Sequence, residues 1–163
     1  MGKGRAVYII TEQTKAILAE GSGYYRTRIL EGNTEKVSIH RPLQIINYSC
    51  IVYGSSYEGR RTPVKRILHS ASKLPIPVNV EKGIYMVPTA SVKNKECVWV
   101  SYQHIDTYKQ LEDEKLYITF RDGTGIIVPT SKNAFDMQFK RTSQVIVQMN
   151  RGTLFGKHWH PWW

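Results

Sequence analysis

The chain has 163 residues and carries 23 Lys and Arg against 13 Asp and Glu, which gives a formal net charge of +10 and a pI near 9.7. Its 41% hydrophobic content is typical of a globular protein and excludes a largely disordered chain. No apolar run is long enough to span a bilayer, and the first apolar stretch is too short for a signal peptide. We therefore expect a cytoplasmic protein with a polyanionic partner, because such a basic excess is typical of nucleic-acid-binding proteins.

The first 40 residues predict a series of short strands joined by glycine-containing turns. The turn signals are E-G-S-G at 20–23 and E-G-N-T at 31–34. Between and around them, apolar and β-branched residues are dense enough for strands. The predicted strands are 6–10, 15–19, 24–30 and 36–40.

The spacing of apolar residues then becomes helical, with Leu43, Ile46, Cys50 and Tyr53 three or four residues apart. Pro42 suits a first helical turn and Gly54 suits a helix end. We predict a helix near 42–53, although its last three residues are also compatible with a strand. The prolines that follow predict an irregular, mostly exposed segment over 54–77, with one helical turn around Val64 to Leu68.

Strands return in the second half of the chain, and R-D-G-T at 121–124 predicts a hairpin. A C-terminal amphipathic helix is predicted near 131–150, ending at Gly152, with an apolar stripe of Phe135, Phe139, Ile146 and Met149 that Thr142 interrupts. No strand–helix–strand rhythm is present, which predicts an α+β fold with a largely antiparallel sheet. We expect one domain over 1–151 and a short aromatic tail over 152–163. The predicted strands are 77–80, 84–87, 97–102, 116–120 and 125–128.

Positive charge is densest just after the first predicted helix. Four cations fall within seven residues, and no acid occurs between Glu58 and Glu81. Because an unbalanced block suggests a polyanionic partner, we predict that these cations contact nucleic acid: Arg60, Arg61, Lys65 and Arg66. Ser55, Ser56 and Tyr57 precede them and are predicted to bond phosphate or sugar. A solvated surface loop remains the alternative. Reserve contacts are Arg26, Arg28, Lys140 and Arg141.

Catalytic and metal chemistry find little support in the sequence. Gly54 and Gly59 have the spacing of a phosphate-binding loop, but Arg60 and Arg61 occupy the positions where that loop needs Lys and a hydroxyl. The two cysteines and five histidines have no paired ligand spacing, so buried thiols are favoured over a metal site. No nucleophile motif is present. We expect a protein without cofactor, metal or enzymatic activity.

Four stretches, taken in order, resemble the ComK family of competence transcription factors. They are R-P-L-Q-I-I-N-Y-S-C-I-V-Y-G-S-S-Y-E-G-R at 41–60, K-L-P-I-P-V at 73–78, I-Y-M-V-P-T at 84–89 and E-C-V-W-V-S-Y-Q-H-I at 96–105. The resemblance covers roughly residues 36–151 and is poor before Lys36.

The resemblance implies a DNA-binding transcriptional activator that switches on DNA-uptake genes. It further implies binding of AT-rich boxes through the minor groove, action as a homo-dimer or higher homo-oligomer on DNA, engagement of RNA polymerase and control by an adaptor–protease system. Arginines favour narrow, strongly negative A-tract grooves, which is compatible with the charge of this chain. We therefore expect double-stranded AT-rich DNA as the partner, and association with the nucleoid when bound.

Three alternatives remain open. A shortened, non-activating paralogue is one, because H-W-H-P-W-W at 158–163 takes the place of the charged tail that the family typically carries. A second is a single-strand or RNA-binding sheet, on which bases would stack; its aromatic residues would be Tyr24, Tyr25, Tyr85, Trp99 and Tyr102. The third is an interaction module that docks acidic proteins on its basic face.

Overall fold

The computed structural model describes residues 6–21 and 23–156. Within these ranges the helices are α1 (Pro42–Val52), α2 (Tyr57–Leu68), α3 (Lys132–Met149) and α4 (Arg151–Phe155). The strands are β1 (Thr14–Ala19), β2 (Thr27–Glu31), β3 (Thr34–Ser38), β4 (Ile76–Asn79), β5 (Ile84–Pro88), β6 (Val98–Ser101), β7 (Ile105–Gln110), β8 (Leu116–Phe120) and β9 (Gly125–Val128). A 3₁₀ turn at Tyr102–His104 leads from β6 into β7.

The strands of the described part form two antiparallel sheets. The larger has six strands in the order β3-β2-β1-β6-β5-β4, and the smaller has three in the order β7-β8-β9. The prediction of an α+β fold with largely antiparallel pairing is confirmed. The sequence pattern pointed to one sheet, however, because turn signals do not reveal which neighbouring strands stay in register.

Alternating side chains give the six-stranded sheet two buried faces. Ile17 and Trp99 point into a core beneath α1, while their neighbours Ala16 and Val98 point into a second core. The second core is completed by the three-stranded sheet and by Phe135 of α3. Successive strand residues alternate between faces, so a sheet that is covered on both sides needs apolar residues at consecutive positions.

A third core forms where α2 meets α3. Val64 and Ile67 of α2 pack with Val145 of α3, together with Leu74 and Tyr85. α2 thus lies against α1, α3 and β4. Its position is therefore fixed by contacts with three other elements.

The first 30 residues differ from the prediction in two ways. Residues 6–10 do not form a strand; the segment instead packs onto the core, and the Ile10 amide donates to the Ser49 hydroxyl at 2.9 Å. Strand β2 begins at Thr27 rather than at 24, which leaves Tyr24 and Tyr25 in the loop. Both segments have strand-like composition, but no neighbouring strand pairs with them in the described structure.

The predicted irregular segment over 54–77 is wrong for half of its length, because α2 occupies Tyr57–Leu68. Pro63 lies inside this helix. A proline in a helix interior removes one hydrogen bond and crowds the preceding turn. Complete burial of Val64 and near-complete burial of Ile67 offset that cost, and these tertiary contacts were not visible in the local sequence.

The C-terminal helix is confirmed as α3, but its buried face differs from the predicted stripe. The buried residues are Phe135, Gln138, Thr142 and Val145. Thr142 therefore belongs to the core, where its hydroxyl donates to the Gln138 carbonyl at 2.8 Å. Gly152 does not end the helical region, because it lies within α4. Strand β7 was not predicted from the sequence. The predicted tail falls outside the described residues from 157 onward.

Candidate nucleic-acid interface

The turn between α1 and α2 explains most of the G-S-S-Y-E-G-R motif. Gly54 has φ +95°, a left-handed conformation that a side chain disfavours, and it ends α1. Ser56 caps α2, because its hydroxyl accepts from the Gly59 amide at 2.9 Å. The Tyr57 amide donates to the Asn47 side chain at 2.9 Å. The predicted phosphate ligands Ser56 and Tyr57 therefore have structural roles within the turn.

Gly59 is the second glycine of the motif, and it is closely packed by two serine side chains without having a left-handed backbone conformation. A β-carbon at this position would lie 2.5 Å from the Ser55 hydroxyl oxygen and 3.2 Å from that of Ser56. Both serine hydroxyls therefore sit against the start of α2. The glycine spacing that resembled a phosphate-binding loop is accounted for by helix capping.

Arg60 is directed inward from α2. Its guanidinium donates to the Tyr53 carbonyl at 3.1 Å, and its buried Nε has no partner among the described residues. The guanidinium also influences Cys50: burial raises the pKa of the Cys50 thiol to about 11, while the Arg60 charge opposes this rise. Arg60 thus stabilises the end of α1, and its charge is only partly exposed to a partner.

Arg61 connects α2 to the loop that follows it. It forms an ion pair with Glu58 at 2.8 Å and donates to the Ala71 carbonyl at 3.1 Å. The guanidinium also lies 5.6 Å from the ring centre of Tyr57. Since the neighbouring carboxylate neutralises its charge and its side chain is only 19% exposed, Arg61 is poorly placed to bind phosphate.

Lys65 and Arg66 lie in the last turn of α2 and differ from the two preceding arginines. Neither forms an ion pair within the described part of the chain, and Arg66 is exposed. Cations at this position also interact favourably with the negative end of the helix dipole. Lys73, exposed in the following loop, adds a third cation without an ion pair among the described residues. We call Lys65, Arg66 and Lys73 the α2 cationic end.

The loop that carries Lys73 is held from both flanking helices. Arg141 of α3 donates to the Ser72 carbonyl at 3.0 Å and to the Lys73 carbonyl at 3.2 Å. The buried Gln138 amide donates to the Lys73 carbonyl at 2.8 Å and to the Pro88 carbonyl at 3.0 Å. Arg61 holds the same loop from α2. Sequence reasoning missed Gln138, and its polarity within the apolar stripe of α3 was the available signal.

The reserve cations are distributed over separate surfaces. Arg141 is engaged in the loop, and Lys140 pairs with Asp136 at 2.9 Å on α3. Arg28 pairs with Glu35 at 2.8 Å, whereas Arg26 is exposed and has no ion pair in the described structure. Of the reserve residues, Arg141 is linked to the α2 cationic end through its bond to the Lys73 carbonyl, and no hydrogen bond or ion pair of the described structure joins the other three to it.

Three of the five proposed base-stacking aromatics are unavailable. Tyr85 and Trp99 are 3% and 2% exposed. Tyr102 stacks on Phe139 at 4.7 Å and hydrogen-bonds Ser143 at 2.7 Å. Tyr24 and Tyr25 remain exposed, but they lie in one loop rather than across a sheet. The described sheets offer no aromatic platform of the predicted kind.

Cofactor chemistry has no obvious site in the described ranges. The thiols of Cys50 and Cys97 are free and buried, as the sequence predicted. No cluster of three His, Cys, Asp or Glu side chains suited to a metal ion occurs among residues 6–21 and 23–156. None of the helices described there is long and apolar enough to cross a membrane.

Comparison with known proteins agrees with the motif evidence. The sequence model of the ComK protein family matches residues 5–153. The chain belongs to the ComK family. This match extends some 30 residues further toward the N-terminus than the motif resemblance and includes β1 to β3. No solved structure matches the chain.

A curated relative supports the same assignment. The chain is 32% identical over 137 residues to the competence transcription factor of Bacillus subtilis (strain 168). The alignment covers 83% of this chain and 71% of the relative. In this ComK family member, contacts within the α1–α2 turn give much of the G-S-S-Y-E-G-R motif capping and packing roles.

Proposed function

We propose that this ComK family member is a transcriptional activator of competence genes that binds AT-rich duplex DNA through the minor groove. The observation that carries the proposal is its relationship to a protein named as a competence transcription factor. The charge of +10 supports it, because neutralising phosphates supplies most of the sequence-independent affinity for DNA. We expect no catalytic activity, and a cytoplasmic location with nucleoid association when bound.

The α2 cationic end is the part of the predicted contact region that fits phosphate binding best. Lys65, Arg66 and Lys73 lack ion pairs in the described structure, and Arg66 and Lys73 are exposed. Arg60 and Arg61 are bound to carbonyl groups and, for Arg61, to a carboxylate. The proposal therefore keeps two of the four cations first predicted, Lys65 and Arg66, and adds Lys73.

Assembly and regulation belong to the same proposal. α1 exposes Tyr48, Ile51 and Val52, and no charged residue occurs from Pro42 to Tyr57. An uncharged helix face allows two strongly basic chains to approach with little repulsion, which supports a homo-dimer on DNA. RNA polymerase and an adaptor–protease system remain proposed partners on the strength of the family alone.

A salt titration tests the DNA-binding proposal. Binding to an AT-rich and a GC-rich duplex of equal length is measured by fluorescence anisotropy at several salt concentrations. If the three cations of the α2 cationic end contact phosphate, the log–log slope is about −2.7 per subunit and about twice that for a dimer. Lys65→Ala/Arg66→Ala should reduce the slope by about 2 per subunit, whereas the matched control Lys109→Ala/Lys115→Ala should not.

Groove choice is tested with inosine. An I·C pair presents the minor-groove pattern of A·T, because it lacks the guanine amino group, but keeps a G·C-like major groove. Replacing A·T with I·C pairs should preserve affinity if the minor groove is read. Loss of affinity to the level of the GC-rich duplex would contradict minor-groove binding, and equal binding to all three duplexes would contradict AT preference.

A further inference from the structure

A cleft of about 820 Å³ lies away from the α2 cationic end. Its walls are the end of β1, the start of α1, the loop at 91–96 and the end of β9, with Trp99 of β6 as part of the floor. A volume of this order lies within the range of binding sites for ligands. The cleft includes neither Lys65 nor Arg66, and Arg26 is the one reserve contact of the sequence prediction that lines it.

Apolar side chains that line this cleft can be reached by a partner. Leu43 and Val92 are each 37% exposed and Ile127 is 56% exposed. They come from α1, the 91–96 loop and β9, and all three line the same concavity. Single exposed apolar residues are normal on a protein surface. Here three of them, from three elements, line one concave surface, which is the shape that binding sites usually have.

The rim of the cleft is positively charged. Arg26, Arg41, Lys93 and Lys95 line it, and none of the four forms an ion pair with another described residue. Glu20 and Glu96 are the carboxylates of the lining, so cations outnumber acids two to one. The cationic rim of the cleft attracts negatively charged groups, while its apolar walls can contact an apolar side chain.

We infer that this cleft binds an extended acidic segment of a partner protein, with an apolar side chain inserted against Leu43, Val92 and Ile127 and carboxylates on the rim. Single-stranded nucleic acid fits less well, because the exposed walls are aliphatic and Trp99, the one aromatic residue of the lining, is only 2% exposed. A second copy of this chain fits less well too, because two chains of charge +10 repel each other wherever cationic rims meet.

The test uses the full chain and a fluorescein-labelled peptide of about ten residues, in which Asp and Glu flank a central Leu-Phe pair. Affinity is measured by fluorescence anisotropy at physiological salt. Lys93→Glu/Lys95→Glu should weaken binding by about tenfold or more. The control Lys109→Glu/Lys115→Glu changes the net charge equally on exposed residues of β7 and the β7–β8 turn, and should have a much smaller effect.

The apolar part of the inference has its own matched pair. Ile127→Asp should also weaken peptide binding about tenfold, whereas Leu154→Asp, at a residue with 57% exposure in α4, should not. Val92→Asp, in a loop, repeats the test if Ile127→Asp alters the circular dichroism spectrum. A peptide with Ser-Ser in place of Leu-Phe should bind more weakly than the original.

Several results would overturn the inference. Equal losses of peptide affinity in the rim variant and the control variant would show non-specific charge attraction. Equal affinity for the Ser-Ser and Leu-Phe peptides would show that no apolar side chain inserts into the cleft. Displacement of the peptide by a single-stranded oligonucleotide, in a manner sensitive to Ile127→Asp, would assign the cleft to nucleic acid. A sedimentation coefficient that rises with concentration in wild type but not in Ile127→Asp would assign it to a second copy.

Discussion

Gly59 lies so close to Ser55 that a β-carbon on the glycine would be 2.5 Å from the serine hydroxyl oxygen. The contact fixes how α2 begins beside the end of α1. It also gives a physical reason for glycine at a helical position, where this residue ordinarily lowers stability by about 1 kcal/mol relative to alanine.

Gly59→Ala should therefore lower the free energy of unfolding by about 1 kcal/mol, because crowding outweighs the gain in helix propensity. In a Ser55→Ala background the hydroxyl is gone, and the same substitution should be neutral or stabilising by up to about 1 kcal/mol. Urea denaturation of the four proteins in this double-mutant cycle measures the coupling. Additive effects of the two substitutions would show that the close contact does not govern the choice of glycine.

Truncation of Arg61 should lower stability, whereas truncation of Arg66 should weaken DNA binding. Arg61→Ala removes the bonds to Glu58 and Ala71 and should cost about 1 kcal/mol of unfolding free energy. Arg66→Ala should leave stability within about 0.5 kcal/mol but weaken DNA binding, because the exposed residue has no ion pair in the described structure. Denaturation and anisotropy on both variants test this contrast, which would be contradicted if Arg61→Ala reduced the salt slope without affecting stability.

Lys15 and Asp122 join β1 to the β8–β9 turn by a 2.9 Å ion pair, and the pair is expected to make stability depend on pH. Hydrogen bonds from the Thr124 hydroxyl and then from Lys15 hold the pKa of the Asp122 carboxyl well below its usual range. A depressed pKa stabilises the folded state above the unfolded value of about 4, and that contribution is lost as the pH falls below it.

Asp122→Asn should therefore destabilise the protein at neutral pH and flatten the decline of stability below about pH 4. Asn keeps a side chain of similar size but leaves the buried Lys15 without its carboxylate. Urea midpoints measured from pH 3 to pH 7 report the effect. The control Asp106→Asn changes an exposed carboxylate of β7, and its curve of urea midpoint against pH should be parallel to that of wild type. Parallel curves for Asp122→Asn and wild type would disprove the role of this pair.

The strands and the two longest predicted helices illustrate what sequence pattern can predict. Trp99 alternates with Val98 and Val100, and the structure places them on opposite faces of β6. The α1 prediction needed only apolar spacing and the flanking Pro42 and Gly54. Such signals depend on neighbouring residues only, so they predict an element without any knowledge of what packs against it.

The α2 segment shows where local pattern fails. Pro63 and the dense charge argue against a helix there, and the helix exists because Val64 and Ile67 are buried in a cluster with residues of α3 and β5. The structural roles of the arginines could not be predicted either, because their hydrogen-bond partners are distant in sequence. Arg141 and Ser72 are 69 residues apart yet hydrogen-bonded, so charge density alone could not distinguish a structural arginine from an exposed one.

The sequence by itself determined the α+β class, the strongly basic character and membership of the ComK family, because composition, period and short motifs are properties of neighbouring residues. Only the tertiary structure decided which cations are available. Arg60, Arg61 and Arg141 bind backbone carbonyls of segments brought near by folding, whereas Lys65 and Arg66 form no such side-chain bond to another described residue. The physical reason is that a guanidinium's partner depends on which groups the fold places within about 3 Å of it.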